Sequence, residues 1–306
     1  MKILVTGGAG FIGSHVVEAY LAGGHEVRVV DNLATGRRAN VPREATLHEV
    51  DIHSFEVEKV FGEFRPDVVN HHAAQASVKV SNQDPVFDLE MNGGGTLRIA
   101  ELCVRFGVTK MIYASTGGAL YGDPIRVPVD ESHPIQALSP YGMSKRVGEL
   151  YVEFYGRTKG LEYTILRYAN AFGPRQDPTG EAGVCAIFTG QMLRGEQCTI
   201  DGDGEQLKDY VYVGDIARAN VLALSKGSGR AINIGTGRGT SVNAIFAALQ
   251  QATGNDTPAV YGPQRPGDVR NIWLDSSLAK EVLGWEPSVS FDEGLRATVA
   301  SLRERV

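Results

Sequence analysis

Lys2-Ile3-Leu4-Val5-Thr6-Gly7-Gly8-Ala9-Gly10-Phe11-Ile12-Gly13 runs an apolar strand into a glycine-rich turn, and an amphipathic helix follows. Glycines at 7, 10 and 13 suit a chain that turns tightly after a strand, lets its backbone approach a diphosphate, and packs a helix start against a sheet. The helix N-terminus offers N–H groups and the positive end of its dipole to phosphate. Gly7, Gly10, Phe11, Ile12 and Gly13 are therefore the expected phosphate contacts. A second strand from Glu26 to Val30 ends in Asp31, close to the acidic position expected roughly 20 residues on, where a carboxylate can accept both ribose hydroxyls of an adenosine. Among 37 glycines a triplet alone would carry little. Strand, glycines, helix, strand and acid in register point to a bound dinucleotide.

The 306 residues are enough for one large α/β domain or a main domain with a smaller lobe. With 42% hydrophobic and 22% charged residues the composition is that of an ordinary globular protein. A net charge of −6 argues against nucleic-acid or anionic-membrane binding. No apolar run approaches the ~20 residues of a membrane span. The first strand begins at once, without signal-peptide architecture. Cys103, Cys185 and Cys198 are odd in number and lack zinc spacing, so a cytoplasmic location is expected. His71-His72 follow an apolar strand with no carboxylate or cysteine beside them, which reads as structural; no metal is expected.

Short strands at Ile3–Thr6, Val27–Val30, Val68–His71, Met111–Ser115 and Tyr163–Tyr168 alternate with helical stretches, notably Asn92–Phe106 and Tyr141–Thr158. That alternation predicts a doubly wound parallel sheet of the Rossmann type, with ligands at the carboxyl ends of the strands. Those ends carry Gly7, Asp31, Asp51, Ala73-Ala74, Ser115-Thr116 and Tyr168-Ala169-Asn170. After Asn170 the pattern changes to loops, short strands and helices near Val184–Arg194, Asn243–Thr253 and Ser276–Leu283. The reading is a dinucleotide-binding domain over 1–170 and a mainly substrate-binding lobe over 171–306. Elements such as Asp215–Leu224 are expected to pack back on the first domain.

Tyr141-Gly142-Met143-Ser144-Lys145 sets a phenol and an ammonium one helical turn apart on one face. A free phenol, with pKa about 10, is a poor base at neutral pH. A nearby ammonium and a cationic nicotinamide ring both favour the phenolate, as oxidation of an alcohol requires. Alone, this pair is common on helix surfaces. Behind a dinucleotide turn and a Ser/Thr strand end, it reads as catalytic.

With these residues in hand the chain resembles the extended short-chain dehydrogenase/reductases, in particular the nucleotide-sugar epimerases. The resemblance rests on Gly7/Gly10/Gly13, Asp31-Asn32-Leu33, Asp51-Ile52, Asn92-Gly93-Gly94-Gly95-Thr96, Tyr121-Gly122, Tyr141/Lys145, Arg167-Tyr168-Ala169-Asn170, Asp209-Tyr210-Val211-Tyr212-Val213 and Leu283-Gly284-Trp285-Glu286-Pro287. It implies NAD as resident cofactor and a UDP-sugar as substrate, epimerised at C4 through a transient 4-keto sugar. By the same resemblance Asp31 and Asn32 hold the adenosine ribose, and Asp51 and Ile52 frame the adenine. Ala73, Ala74, Gln75, Asn92 and Tyr168 line the cofactor's path, with Tyr141 and Lys145 at its nicotinamide end. Asn170, Lys208 and Arg265 grip the sugar nucleotide, and Ile272 walls the pocket beside the sugar's C2 substituent. A homodimer built on the helices near Asn92–Phe106 and Tyr141–Thr158 is implied as well.

Two departures stand out. Gly117 occupies the place where many relatives carry a hydroxyl against the reacting sugar oxygen, so Thr116 or Ser115 must supply it. Lys208 stands where many relatives have Arg and offers a point charge without the planar fork. The runners-up are decarboxylases, dehydratases, and epimerases of UDP-N-acetylglucosamine or UDP-glucuronate. Dehydratases and decarboxylases use acidic groups just after the strand-end Thr, where Gly117 and Gly118 can transfer no proton. A non-catalytic dinucleotide-binding regulator is a further class, disfavoured by the intact Tyr141/Lys145 pair.

Overall fold

The computed structural model describes residues 1–179, 183–264 and 269–305. In chain order the first half comprises β1 (Lys2–Thr6), α1 (Phe11–Ala22), β2 (Glu26–Asp31), β3 (Thr46–Glu49), α2 (Glu56–Phe64), β4 (Val68–His71), α3 (Val78–Gln83), α4 (Pro85–Leu89), α5 (Gly95–Arg105), β5 (Lys110–Thr116), α6 (Gly117–Leu120), α7 (Pro140–Lys159) and β6 (Glu162–Tyr168). The second half comprises β7 (Asn170–Phe172), α8 (Val184–Leu193), β8 (Thr199–Asp201), β9 (Leu207–Lys208), β10 (Tyr210–Tyr212), α9 (Val213–Ala223), β11 (Arg230–Ile234), β12 (Thr240–Ser241), α10 (Val242–Thr253), β13 (Val260–Gly262), β14 (Asn271–Ile272), α11 (Ser277–Leu283) and α12 (Phe291–Arg303).

The central sheet has seven strands in the order β11-β6-β5-β4-β1-β2-β3, every neighbouring pair parallel. The doubly wound α/β fold read from the sequence is the one observed. Val16, Val17, Tyr20, Ile216, Leu283 and Trp285 fill one face of the sheet. Val57, Phe61, Ile99, Cys103 and Val152 fill the other. Two of the seven strands lie outside those expected. β3 is a polar edge strand, and β11 enters from beyond residue 170 to pair with β6. α9 packs back on α1, so the 213–234 segment belongs spatially to the sheet and its helical layers. The lobe has its own core of Phe172, Phe188, Met192, Ile245, Leu249 and Leu295.

α7 carries the Tyr141/Lys145 pair, and its ends follow from sequence chemistry. Ser139 Oγ accepts the Gly142 N–H at 3.1 Å, Pro140 opens the first turn, and Gly160 closes the helix at φ 71°. The paired histidines are internal struts. His71 Nδ1 lies 2.6 Å from Thr6 Oγ1, and its Nε2 lies 3.3 Å from Thr96 Oγ1. Among the described residues no helix is long and apolar enough to cross a membrane.

Candidate active site

The glycine turn is shaped by close approach. Gly7 has φ 70°, and a Cβ there would sit 2.6 Å from the Ala73 nitrogen. At Gly13 a Cβ would sit 2.2 Å from the Gly7 oxygen. A side chain at Gly7 would displace the His72–Ala73 backbone, and one at Gly13 would push α1 off the turn. α1 starts at Gly10 with no side-chain cap and no acidic residue in its first turn, leaving its leading N–H groups directed at the turn. This uncapped cradle fits a dinucleotide diphosphate. Asp31 fits the adenosine end. Its Oδ2 accepts the Ala9 N–H at 2.9 Å and its Oδ1 accepts the Leu33 N–H at 2.8 Å, which fixes the carboxylate and leaves each oxygen a further acceptor site.

Asn32 Nδ2 donates to Asp51 Oδ2 at 2.8 Å, joining the ends of β2 and β3. Ile52 is buried against Gly95, where a Cβ would come within 2.7 Å of its Cδ1. The Ala73–Gln75 segment crosses directly over Gly7 and is pinned by Asn92. Asn92 Oδ1 accepts the Gln75 N–H at 2.8 Å, and its Nδ2 donates to the Gln75 carbonyl at 2.9 Å. Asn92 is thus a buried amide with both ends engaged inside the protein. Its part is to hold Gln75. Tyr168 is tied down in the same way. Its hydroxyl is engaged by Asn220 and lies 3.3 Å from His72 Nε2, and its ring stacks on His72.

Gly142 lets the start of α7 close on the β5 end, since a Cβ there would meet the Ala119 carbonyl oxygen at 2.5 Å. Tyr141 therefore stands beside the Thr116–Leu120 turn. Lys145 is buried, with Nζ 4.5 Å from the centre of the Tyr113 ring. Burial pulls its ammonium down to about 8, opposed by the charges of Glu149 and Asp88. The Tyr141 phenol is pushed up to about 12 by burial and then by Asp88. Within the protein alone burial and Asp88 hold the phenol up, whereas the lowering expected from the sequence also drew on a cationic nicotinamide ring.

The two candidate hydroxyls separate cleanly. Ser115 is buried and donates from Oγ to Glu149 Oε1 at 2.7 Å. Thr116 lies at the open strand end, its Oγ1 accepting the Ala119 N–H at 3.2 Å. Asn170 faces the same end, with its Oδ1 3.6 Å from where a Gly118 Cβ would lie and its Nδ2 donating to the Asp209 carbonyl. Lys208 Nζ donates to the Val269 carbonyl. Arg265 lies outside the described residues. Ile272, expected as a pocket wall, is 2% exposed and packs in the core with Leu274, on β14, which pairs parallel with β9.

Three residues carry structure here that the sequence reading did not assign. Asp209, 2% exposed, accepts from the Thr236 N–H and hydroxyl and from the Leu274 and Gly237 N–H groups, tying three lobe segments together. Glu149 and Arg167 form a buried ion pair beneath Lys145. The spacing of Tyr141, Lys145 and Glu149 along one helix face was the available signal for Glu149.

A family model described as the NAD dependent epimerase/dehydratase family matches residues 3–235. A protein of Methanocaldococcus jannaschii named as a putative UDP-glucose 4-epimerase is 46% identical over 97% of both chains. A UDP-glucose 4-epimerase of Mycolicibacterium smegmatis is 41% identical, covering 100% of this chain and 99% of the relative. Among solved structures, a Thermotoga maritima UDP-glucose 4-epimerase with UDP-glucose superposes with TM-score 0.98 at 52% identity, covering 100% of this chain and 99% of the other. A Thermus thermophilus UDP-glucose 4-epimerase in complex with NAD gives TM-score 0.95 at 47% identity over the whole of both chains. The glycine cradle, the Asp31 carboxylate and the Tyr141/Lys145 helix thus lie in a chain that matches these proteins from end to end, and it belongs to the NAD dependent epimerase/dehydratase family.

Proposed function

We propose that this chain is an NAD-dependent 4-epimerase interconverting UDP-glucose and UDP-galactose. The observation that carries the reading is that the start of α7, with Tyr141 and Lys145 one turn apart, closes on the Thr116–Leu120 turn at the carboxyl end of β5. NAD⁺, when bound, supplies a reversible acceptor for the hydride on C4 of the sugar. Tyr141 Oη takes the 4-hydroxyl proton, leaving a 4-keto sugar, and returns a proton when the opposite face of C4 is reduced. Lys145 supplies the positive charge that offsets the burial of the phenolate. Thr116 Oγ1, and not Ser115, orients the reacting oxygen, and Asn170 flanks the sugar. Gly117 and Gly118 offer no proton donor for dehydration, which favours epimerisation over the related reactions. Incubating purified protein with UDP-galactose and no added NAD tests this. Formation of UDP-glucose supports it; a 4-keto-6-deoxy product, or no conversion, overturns it.

The quaternary reading is a homodimer. Of the two helices expected, α7 exposes Met143, Leu150, Tyr151 and Phe154, while the other exposed apolar side chains, Val86, Phe87 and Leu89, lie on α4, packed beside α7, and not on the expected Asn92–Phe106 stretch. An apolar surface of this kind marks an interface. Sedimentation at micromolar concentration should give twice the chain mass, and Phe154→Glu should halve it. All three cysteines are buried as free thiols, in keeping with the cytoplasm as the working compartment.

A further inference from the structure

Glu149 lies one turn beyond Lys145 on α7 and is fully buried. Its Oε1 accepts from Ser115 Oγ at 2.7 Å and from Arg167 Nε at 2.8 Å. Its Oε2 accepts from a terminal nitrogen of Arg167 at 2.8 Å and of Arg146 at 2.7 Å. Ser115 and Arg167 are direct partners across β5 and β6, each one residue before the strand ends Thr116 and Tyr168, themselves partners. Arg167 also donates to Tyr121 Oη at 2.9 Å, and Tyr121 donates to Asn233 Oδ1 on β11 at 2.8 Å. The helix is drawn close to the sheet here: a Cβ on Gly148 would sit 2.2 Å from Tyr113 Oη.

A buried ion pair is a weak source of net stability, since apolar residues of similar volume often serve as well. What this one supplies is position. It spans the catalytic helix and both strands that end at the reacting sugar. We propose that Glu149 is a positioning residue of the reaction: by clamping the Ser115/Arg167 pair from α7 it fixes Tyr141 and Lys145 relative to Thr116, and it provides the buried negative charge against which Lys145 stays an ammonium. The proposal rests on the epimerase reading above. The charged and titratable groups around Lys145 are Glu149 and Asp88, which favour its protonation, and His71 and His72, whose pKa values its charge lowers and which are buried and neutral. Tyr141 stands one turn before it, and the Tyr113 ring lies under Nζ.

The test is the pH profile of UDP-galactose turnover by NAD-loaded Glu149→Gln, beside wild type and Ser115→Ala. Glu149→Gln keeps the shape and removes the charge. Its alkaline limb of kcat should move to lower pH by at least about one unit, the size expected for loss of an adjacent opposite charge. At neutral pH its kcat should fall about tenfold with KM little changed, the pattern of an interaction felt in the transition state. Ser115→Ala removes one arm of the clamp and leaves the charge, so kcat should fall while the limb stays in place. A purely structural role would lower the melting temperature without moving the limb. A folded Glu149→Gln with a superimposable profile overturns the proposal. If Glu149→Gln does not fold, wild-type kcat in Ser115→Ala overturns it instead. Wild type that fails to convert UDP-galactose strikes the proposed function and this inference together, whereas active wild type with an unshifted variant strikes only Glu149.

Discussion

Leu274 fills the space that a side chain at position 117 would need: a Cβ on Gly117 would lie 2.4 Å from Leu274 Cδ1 and 3.0 Å from its Cδ2. The residue after the strand-end Thr is glycine because the lobe's Leu274, 1% exposed, is packed onto it. Gly117→Ala should therefore cost about 1–3 kcal/mol through overpacking. Adding Leu274→Ala should recover part of that loss, a coupling of about 0.5–3 kcal/mol measurable in a urea double-mutant cycle. Additive losses would show that the two residues do not compete for the space.

Tyr141→Phe keeps the ring and deletes the only atom assigned to proton transfer. Turnover should drop at least about 10²-fold, with NAD affinity preserved. Near-full activity in a steady-state assay would remove Tyr141 from the mechanism.

The proposed place of Asp31 at the adenosine ribose makes it the residue expected to set the cofactor choice. A 2′-phosphate about 4 Å from its carboxylate costs about 4 kcal/mol at an effective dielectric near 20. The nearby cations are engaged elsewhere, Arg37 with Asp177 at 2.8 Å and Arg38 with Glu49. NAD should bind far more tightly than NADP in titration calorimetry, and Asp31→Asn should narrow the gap. Equal affinities in wild type would contradict the assignment.

Ile272→Ala should act on stability and not on sugar choice. Removing a fully buried Ile costs about 2–5 kcal/mol. Activity on UDP-glucose and on UDP-N-acetylglucosamine should change by the same factor at a temperature where the variant is folded. A selective gain on the N-acetylated sugar would restore Ile272 to the pocket.

Acid should unfold the protein early. Burial and the Lys145 charge hold His72 down to about 3, and His71 is held well below its usual value for the same reasons. Between pH 6.5 and 3 the unfolded chain therefore binds protons at His72 that the folded protein refuses, and stability falls as pH falls. At pH 5 the loss from His72 is about 2 kcal/mol, and His71 adds to it in the same direction. Melting temperature against pH checks this, and His72→Gln should flatten the acid limb.

The glycine turn and its flanking elements were legible in the chain. Local chemistry is enough for a strand, an uncapped glycine turn and an acid at the next strand end, and equally for the Ser139-Pro140 start and Gly160 stop of α7. The Ser290/Glu293 capping box of α12 was equally legible, although that helix was not among those expected. Tertiary structure decided the rest. β11 reads Arg-Ala-Ile-Asn-Ile, and its Asn233 is tolerated in a buried strand only because Tyr121 and the Val129 carbonyl, distant in sequence, take up its amide. That Ser115 is engaged inside the protein is the work of Glu149, 34 residues away, and it is the ground for assigning the sugar contact to Thr116 in the proposed mechanism. Ile272 is buried where β14 pairs with β9, and the raised phenol of Tyr141 follows from burial and Asp88. Hydrophobic period and turn chemistry act within a few residues, whereas the partner of a buried polar group is fixed only when distant segments meet.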